Sequence, residues 1–177
     1  MRVSENLSKK GIGVEVSDFS LKDLTKENIS FLRLKWTEYG LIVFPNLPLS
    51  HEEFKEFALS FGNFGDDPFI SSLPDHPNIA EIKRSADEKA TPFGGTWHSD
   101  WSFMKNPPSA TLLHSKVIPP VGGNTVFANT EKSFAALPET MKSKLRKLNV
   151  IHSAKIPYAD DGFYALEKEE RSMKILP

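Results

Sequence analysis

The chain has 177 residues, enough for one domain with a real hydrophobic core, and its 39% apolar and 25% charged content is that of an ordinary soluble globular protein. Twenty-two Lys and Arg against 23 Asp and Glu leave a net charge of −1, which excludes the basic excess of a nucleic-acid binder. With no cysteine there is no disulfide framework, no thiolate nucleophile and no Cys-based zinc site.

The first ten residues, Met1 to Lys10, lack the apolar core of a signal peptide, and no apolar run later in the chain approaches membrane-spanning length. The expectation is a cytoplasmic protein with neither membrane nor nucleic acid as partner. Ile12 to Val16 alternates and predicts a short strand. Residues 25–39 predict a helix: Phe31, Leu32, Leu34 and Trp36 fall near helical spacing and Gly40 stops it. The apolar run Leu41-Ile42-Val43-Phe44, closed by Pro45-Asn46, predicts a buried strand. Ser50-His51-Glu52-Glu53 is a capping-box pattern opening a helix to about Ser60, with Phe54, Phe57 and Ala58 on one face and Phe61-Gly62 at its end.

Residues 62–77, broken by Pro and Gly, predict irregular structure. Asn78 to Lys83 is a candidate strand, and residues 84–95, polar and then Gly-rich, predict a mobile loop. Strands are then expected over Trp97 to Phe103, Ser109 to Ile118 and, after the tight turn Gly122-Gly123-Asn124, over Thr125 to Ala128. Thr130 is placed as the cap of a short helix through Ala136. Pro138 fits the first turn of a helix through Lys147, whose Lys142, Lys144, Arg146 and Lys147 spread around more than one face as a solvated surface. Asn149 to Ser153 predicts a last strand, and residues 155–177 show no clear period. Helices early and short interrupted strands later predict an α+β fold, a single domain over 1–177 built on an antiparallel sandwich. The end, Lys174-Ile175-Leu176-Pro177, is apolar and uncapped, and predicts that the fold is truncated there.

The chemistry concentrates in Thr96-Trp97-His98-Ser99-Asp100-Trp101-Ser102-Phe103. On an extended strand, residues two apart point to the same face, so His98 and Asp100 are candidates for two members of a 2-His-1-carboxylate set that holds non-haem Fe(II). A bare His-x-Asp is weak, and a His hydrogen-bonded to a nearby Asp is its bland explanation. The flanking Trp97, Trp101 and Phe103, with Thr91-Pro92-Phe93-Gly94-Gly95 leading in, would give such a metal a dry rim with a hinged entrance. A zinc hydrolase on the same pair is disfavoured, since no third ligand or general base stands at recognisable spacing.

Three ordered blocks carry a resemblance: Gly94-Gly95-Thr96-Trp97-His98-Ser99-Asp100, then Pro107-Pro108-Ser109-Ala110-Thr111-Leu112-Leu113, then Val121-Gly122-Gly123-Asn124-Thr125-Val126-Phe127-Ala128-Asn129. Together with Ala135-Ala136-Leu137-Pro138, Val150-Ile151-His152-Ser153-Ala154, Gly40 to Phe44 and Phe61-Gly62, the chain closely resembles the TauD/TfdA family of Fe(II)- and 2-oxoglutarate-dependent dioxygenases, typified by taurine dioxygenase, over about residues 10–165. The resemblance implies a double-stranded β-helix (jelly roll) with flanking helices, Fe(II) as metal, 2-oxoglutarate as cosubstrate and O2 as oxidant. It implies His98 and Asp100 as metal ligands, Thr125 as the residue binding the distal carboxylate of 2-oxoglutarate, and Trp97 and Gly94 on the border of a small-molecule substrate. In the family the second ligand His and the Arg that pairs with 2-oxoglutarate come later, so both are expected beyond Pro177, and the fragment alone is expected to be inactive. His51, His76, His114 and His152 are poor replacements, His114 the least poor. Asp66 and Asp67 stand where sulfonate-using members tend to carry a His and an aromatic residue, which argues against taurine if they face the site; otherwise they solvate a loop. A non-catalytic jelly-roll binding module is the alternative function, and a homo-oligomer stays open.

Overall fold

In the computed structural model, residues 1–166 are described, the side chain of Phe163 excepted. They belong to two compact units, one of Met1–Gly62 with Leu113–Asn149, the other of Asn63–Leu112 with the chain from Val150. The architecture is mixed α and β, with small sheets and short helices. No helix among the described residues is long and apolar enough to cross a membrane.

The first unit is organised by β1 (Arg2–Ser4), β2 (Val14–Ser17), α1 (Lys26–Tyr39) and β3 (Ile42–Val43). β1 runs antiparallel to β2, with Val3 opposite Val16. β3 joins β2 in parallel, with Val14 opposite Ile42, and α1 makes the crossover that a parallel pair requires. Thr25 caps α1 by accepting from the Asn28 N–H. Gly40 ends it in the left-handed region at φ 73°, its N–H donating to Trp36 O, a conformation that costs a side-chain-bearing residue about 1–2 kcal/mol. Only Leu32 of α1 is buried. Leu34, also counted toward the helical spacing, is 69% exposed.

α2 (His51–Phe61) opens on the expected capping box: Ser50 Oγ accepts from Glu53 N, and Glu53 accepts from Ser50 N at 2.8 Å. The Ser50 backbone N–H, then its hydroxyl, hold the Glu53 carboxyl below its ordinary range. A depressed acid stabilises the fold above its unfolded value, and that stability is lost as pH falls through the folded value. Ser50→Ala is expected to cost about 1 kcal/mol in urea unfolding at neutral pH, with the gap to the parent protein narrowing in acid. An equal gap at pH 7 and pH 3 would count against the reciprocal cap. Under α2 the core is aromatic and aliphatic: Val14, Val16, Phe19, Leu32, Leu49 and Phe57 are all buried.

Later in this unit come α3 (Thr130–Ala135) and α4 (Glu139–Leu145). The cap of α3 is Asn129, not Thr130: the Asn129 side chain accepts from Lys132 N while its amide donates to Gly11 O at 3.1 Å. Arg146 pairs with Glu139 at 2.7 Å on the exposed surface of α4.

The second unit holds a hairpin of β4 (Ser72–Leu73) and β5 (His76–Ala80) joined at Pro74-Asp75: β4 and the turn fall in the stretch expected to be irregular, while β5 overlaps the strand expected over Asn78 to Lys83 at Asn78–Ala80. Two one-turn helices, α5 (Lys155–Tyr158) and α6 (Phe163–Leu166), lie in the stretch where no period is legible. The expected end of the chain, Lys174 to Pro177, lies outside the described residues.

Four expected strands are absent. Trp97 to Phe103 is an irregular segment passing into a turn, and Ser109 to Ile118, Thr125 to Ala128 and Asn149 to Ser153 join no ladder among the described residues. A strand is defined by a hydrogen-bonded neighbour, and none of these has one there. Their apolar side chains stay in water accordingly, Val117 being 91% and Ile151 92% exposed.

Candidate metal centre

All the sequence-predicted site residues except Thr125 belong to the second unit. His98 and Asp100 come together, but not by strand alternation. The backbone turns, with Trp101 in the left-handed region at φ 48° and Met104 N donating to Trp101 O at 2.9 Å. The turn sets His98 Nε2 3.1 Å from Asp100 Oδ1. Both side chains are about half exposed, at 49% and 45%.

The hydrogen bonds around this pair fix its chemistry. His98 Nδ1 lies 2.7 Å from Thr96 O. A carbonyl only accepts, so Nδ1 carries the proton, and in the neutral ring Nε2 presents a lone pair. That lone pair faces a carboxylate oxygen, which also only accepts. A cation, or a second proton on the ring, must stand between them. Two neighbouring ligands of an octahedral ion at about 2.1 Å are about 3 Å apart, the separation found. The far oxygen, Asp100 Oδ2, accepts from Thr111 Oγ1 at 2.6 Å. The donor set therefore fits a divalent cation: one imidazole nitrogen with its tautomer set by a carbonyl, and one carboxylate oxygen with its partner oxygen occupied.

Gly94 borders the ring. It sits at φ 66°, and a Cβ there would approach His98 Cε1 to 3.3 Å. Its N–H donates to Tyr164 Oη at 3.3 Å, and Phe93 stacks on Tyr164 with ring centres 5.1 Å apart. Trp97 is 73% exposed. Trp101 and Phe103 belong to an aromatic cluster with Phe69 and Tyr158, whose rings stack at 4.1 Å. Burial, then the neighbouring Tyr164, Asp67 and Asp100, push the Tyr158 phenol up, so it stays neutral. Asp67 is partly structural, its Oδ1 accepting from Phe69 N and Ile70 N at 3.0 and 2.9 Å.

Thr125 is an exposed residue of the first unit, three positions after Gly122. Gly122 and Gly123 take the positive φ angles, 83° and 70°, that their turn requires. Among the described residues no group of three or more His, Cys, Asp and Glu converges as a metal site. His152 Nδ1 is engaged by Ser102 Oγ at 2.7 Å. His114 lies in the first unit against Phe54, ring centres 5.3 Å apart, and its buried Nδ1 has no hydrogen-bond partner there. Burial first, then Lys116 and His51, push its pKa down, so the ring is neutral. His51 begins α2 and His76 begins β5. The sequence did not reveal Thr111, Tyr158 or Tyr164. Each acts across a non-local contact that no spacing signals.

Comparison with known proteins puts this geometry in context. The chain is 29% identical over 143 residues to an (S)-phenoxypropionate/alpha-ketoglutarate-dioxygenase of Sphingobium herbicidovorans, covering 80% of this chain and 50% of that protein. It is 28% identical over 149 residues to an alkylsulfatase of Acinetobacter baylyi, covering 83% and 46%. To an alpha-ketoglutarate-dependent sulfonate dioxygenase of Saccharomyces cerevisiae it is 30% identical over 155 residues, covering 81% and 37%. The chain thus spans half or less of the length of these relatives. The profile of the family described as taurine catabolism dioxygenase TauD, TfdA family matches residues 4–174, nearly the whole chain and every block that carries the His98 and Asp100 pair, and the chain belongs to that family.

Proposed function

We propose that these residues are part of an Fe(II)- and 2-oxoglutarate-dependent dioxygenase that hydroxylates a small organic substrate, on a jelly-roll scaffold that the 177 residues make only in part. The observation that carries this reading is the approach of His98 Nε2 to Asp100 Oδ1 at 3.1 Å, in a chain whose family relatives bear the names of alpha-ketoglutarate dioxygenases. His98 and Asp100 hold the metal. The Thr125 hydroxyl donates to the distal carboxylate of 2-oxoglutarate, and Trp97 and Gly94 border the substrate. Among the described residues none is assigned as the second His ligand or as the Arg for 2-oxoglutarate. Bound Fe(II) with 2-oxoglutarate and O2 supplies the oxidation, in which 2-oxoglutarate, O2 and R–H become succinate, CO2 and R–OH.

The protein's own contribution is orientation and exclusion of water. Thr96 O, 2.7 Å from His98 Nδ1, orients the ring and leaves Nε2 as the nitrogen turned toward Asp100. Phe69, Trp101, Phe103 and Tyr158 form an apolar flank beside the turn that bears Asp100. Tyr158, held neutral, brings no added negative charge to that flank.

The test is O2-dependent conversion of 2-oxoglutarate to succinate by the whole protein. Asp100→Ala is expected to lower it on the order of a thousandfold, about 4 kcal/mol of barrier. Turnover unchanged in Asp100→Ala would overturn the metal assignment. No turnover by the parent protein with any organic substrate would leave the non-catalytic binding module.

A further inference from the structure

Asp100 uses its two oxygens differently. Oδ1 faces His98 Nε2 at 3.1 Å, and Oδ2 accepts from Thr111 Oγ1 at 2.6 Å, eleven residues on. A free carboxylate on a turn rotates about its Cβ–Cγ bond and offers either oxygen, or both. Here one short bond from the Thr111 hydroxyl favours a single orientation of the carboxylate. The hydroxyl donates because an ionised carboxylate only accepts. The bond turns Oδ1 toward the imidazole and keeps Oδ2 from competing for the same cation.

We propose that Thr111 is a positioning residue for the metal site: its hydroxyl holds Asp100 as a one-oxygen ligand, with Oδ1 aimed at the metal and Oδ2 withheld. The inference rests on the metal reading of His98 and Asp100 given above. Removing a group that orients a ligand in this way costs roughly tenfold or more in metal affinity. Thr111 is exposed, so its bond competes with water and the lower end of that range applies.

The test is Mn(II) binding to the whole protein, followed by paramagnetic broadening of the protein's own resonances, with Co(II) absorption as a second probe. Thr111→Val, nearly the same shape, is expected to raise the Mn(II) Kd roughly tenfold and to change the Co(II) visible spectrum. Thr111→Ser, which keeps the hydroxyl, is expected to restore both. Thr111→Ser failing while Thr111→Val, which keeps the methyl, binds Mn(II) as the parent does would show a role for the methyl and not the hydroxyl, and that result would overturn the proposal. Thr111→Val binding Mn(II) as the parent does, while Asp100→Ala loses binding, would overturn the positioning role and leave the metal site standing. Asp100→Ala binding as the parent does would remove the metal reading, and the role of Thr111 with it. Thermal unfolding of each variant separates a loss of affinity from a loss of fold.

Discussion

Residues 1–177 on their own, incubated with Fe(II), 2-oxoglutarate, ascorbate and O2, are expected to release no succinate above a His98→Ala control. His98 and Asp100 supply two ligands, and among the described residues no third His, Asp or Glu joins them. Two half-exposed ligands compete poorly with water for Fe(II), and 2-oxoglutarate then lacks a metal held firmly enough to be oriented for attack. The same polypeptide is expected to self-associate. Val117, Val121, Val150 and Ile151 are each three-quarters exposed or more, and exposed apolar segments without a paired neighbour invite pairing with another chain. Light scattering against concentration reads this directly. Succinate above the His98→Ala control would mean that a third protein ligand lies within these residues. His114→Ala and His152→Ala are then the variants that separate the candidates, one with a buried unpaired Nδ1 and the other tied to Ser102.

Elements fixed by local chemistry were legible before any coordinates. The Ser50–Glu53 box, the Gly40 stop and the bounds of α1 and α2 depend on groups three or four residues apart, and a sequence displays those directly. The strands were less legible because pairing is non-local. β1 carries no alternation long enough to notice, yet forms because β2 lies beside it. Ser109 to Ile118 has the composition of a strand and no ladder, because composition supplies side chains and not a neighbour. Leu34 shows the limit of composition on a helix: it is two residues, about 200°, from the buried Leu32, and stays exposed.

The site divides in the same way. His98 and Asp100 were identified by residue type and order, and they do come together, but through a turn at Trp101 rather than through strand periodicity. A two-residue spacing admits both routes. Gly94 was legible as a member of a Gly-rich lead-in; its reason, the 3.3 Å approach of a hypothetical Cβ to the His98 ring, is visible only in three dimensions. Thr111 could not have been singled out, because nothing in an eleven-residue separation marks a hydroxyl as the partner of a carboxylate.

Phe57→Ala is expected to give the largest loss of stability of any single truncation in the first unit. Phe57 is 5% exposed. Its ring meets three others, with centres 5.3 Å from Phe44, 6.0 Å from Phe19 and 5.3 Å from Phe61, mostly edge to face. Removing a buried phenyl ring costs about 3–5 kcal/mol, its lost transfer energy plus the cavity that the neighbours fail to close. Phe19 and Phe44 are themselves in contact at 5.2 Å, so they have little freedom to move into the gap. A domain of this size has roughly 5–15 kcal/mol to lose, and the variant is therefore expected to be partly unfolded at 37 °C. Phe57→Leu keeps most of the volume and should cost about 1.5 kcal/mol or less. Leu34→Ala, on an exposed position of α1, should stay within about 0.5 kcal/mol of the parent. The order Phe57→Ala, Phe57→Leu, Leu34→Ala in urea midpoints is the result expected. If Phe57→Ala fell within 1 kcal/mol of Leu34→Ala, on the order of a surface substitution, the four-ring cluster would not be the core that holds β2 and α2 in one unit.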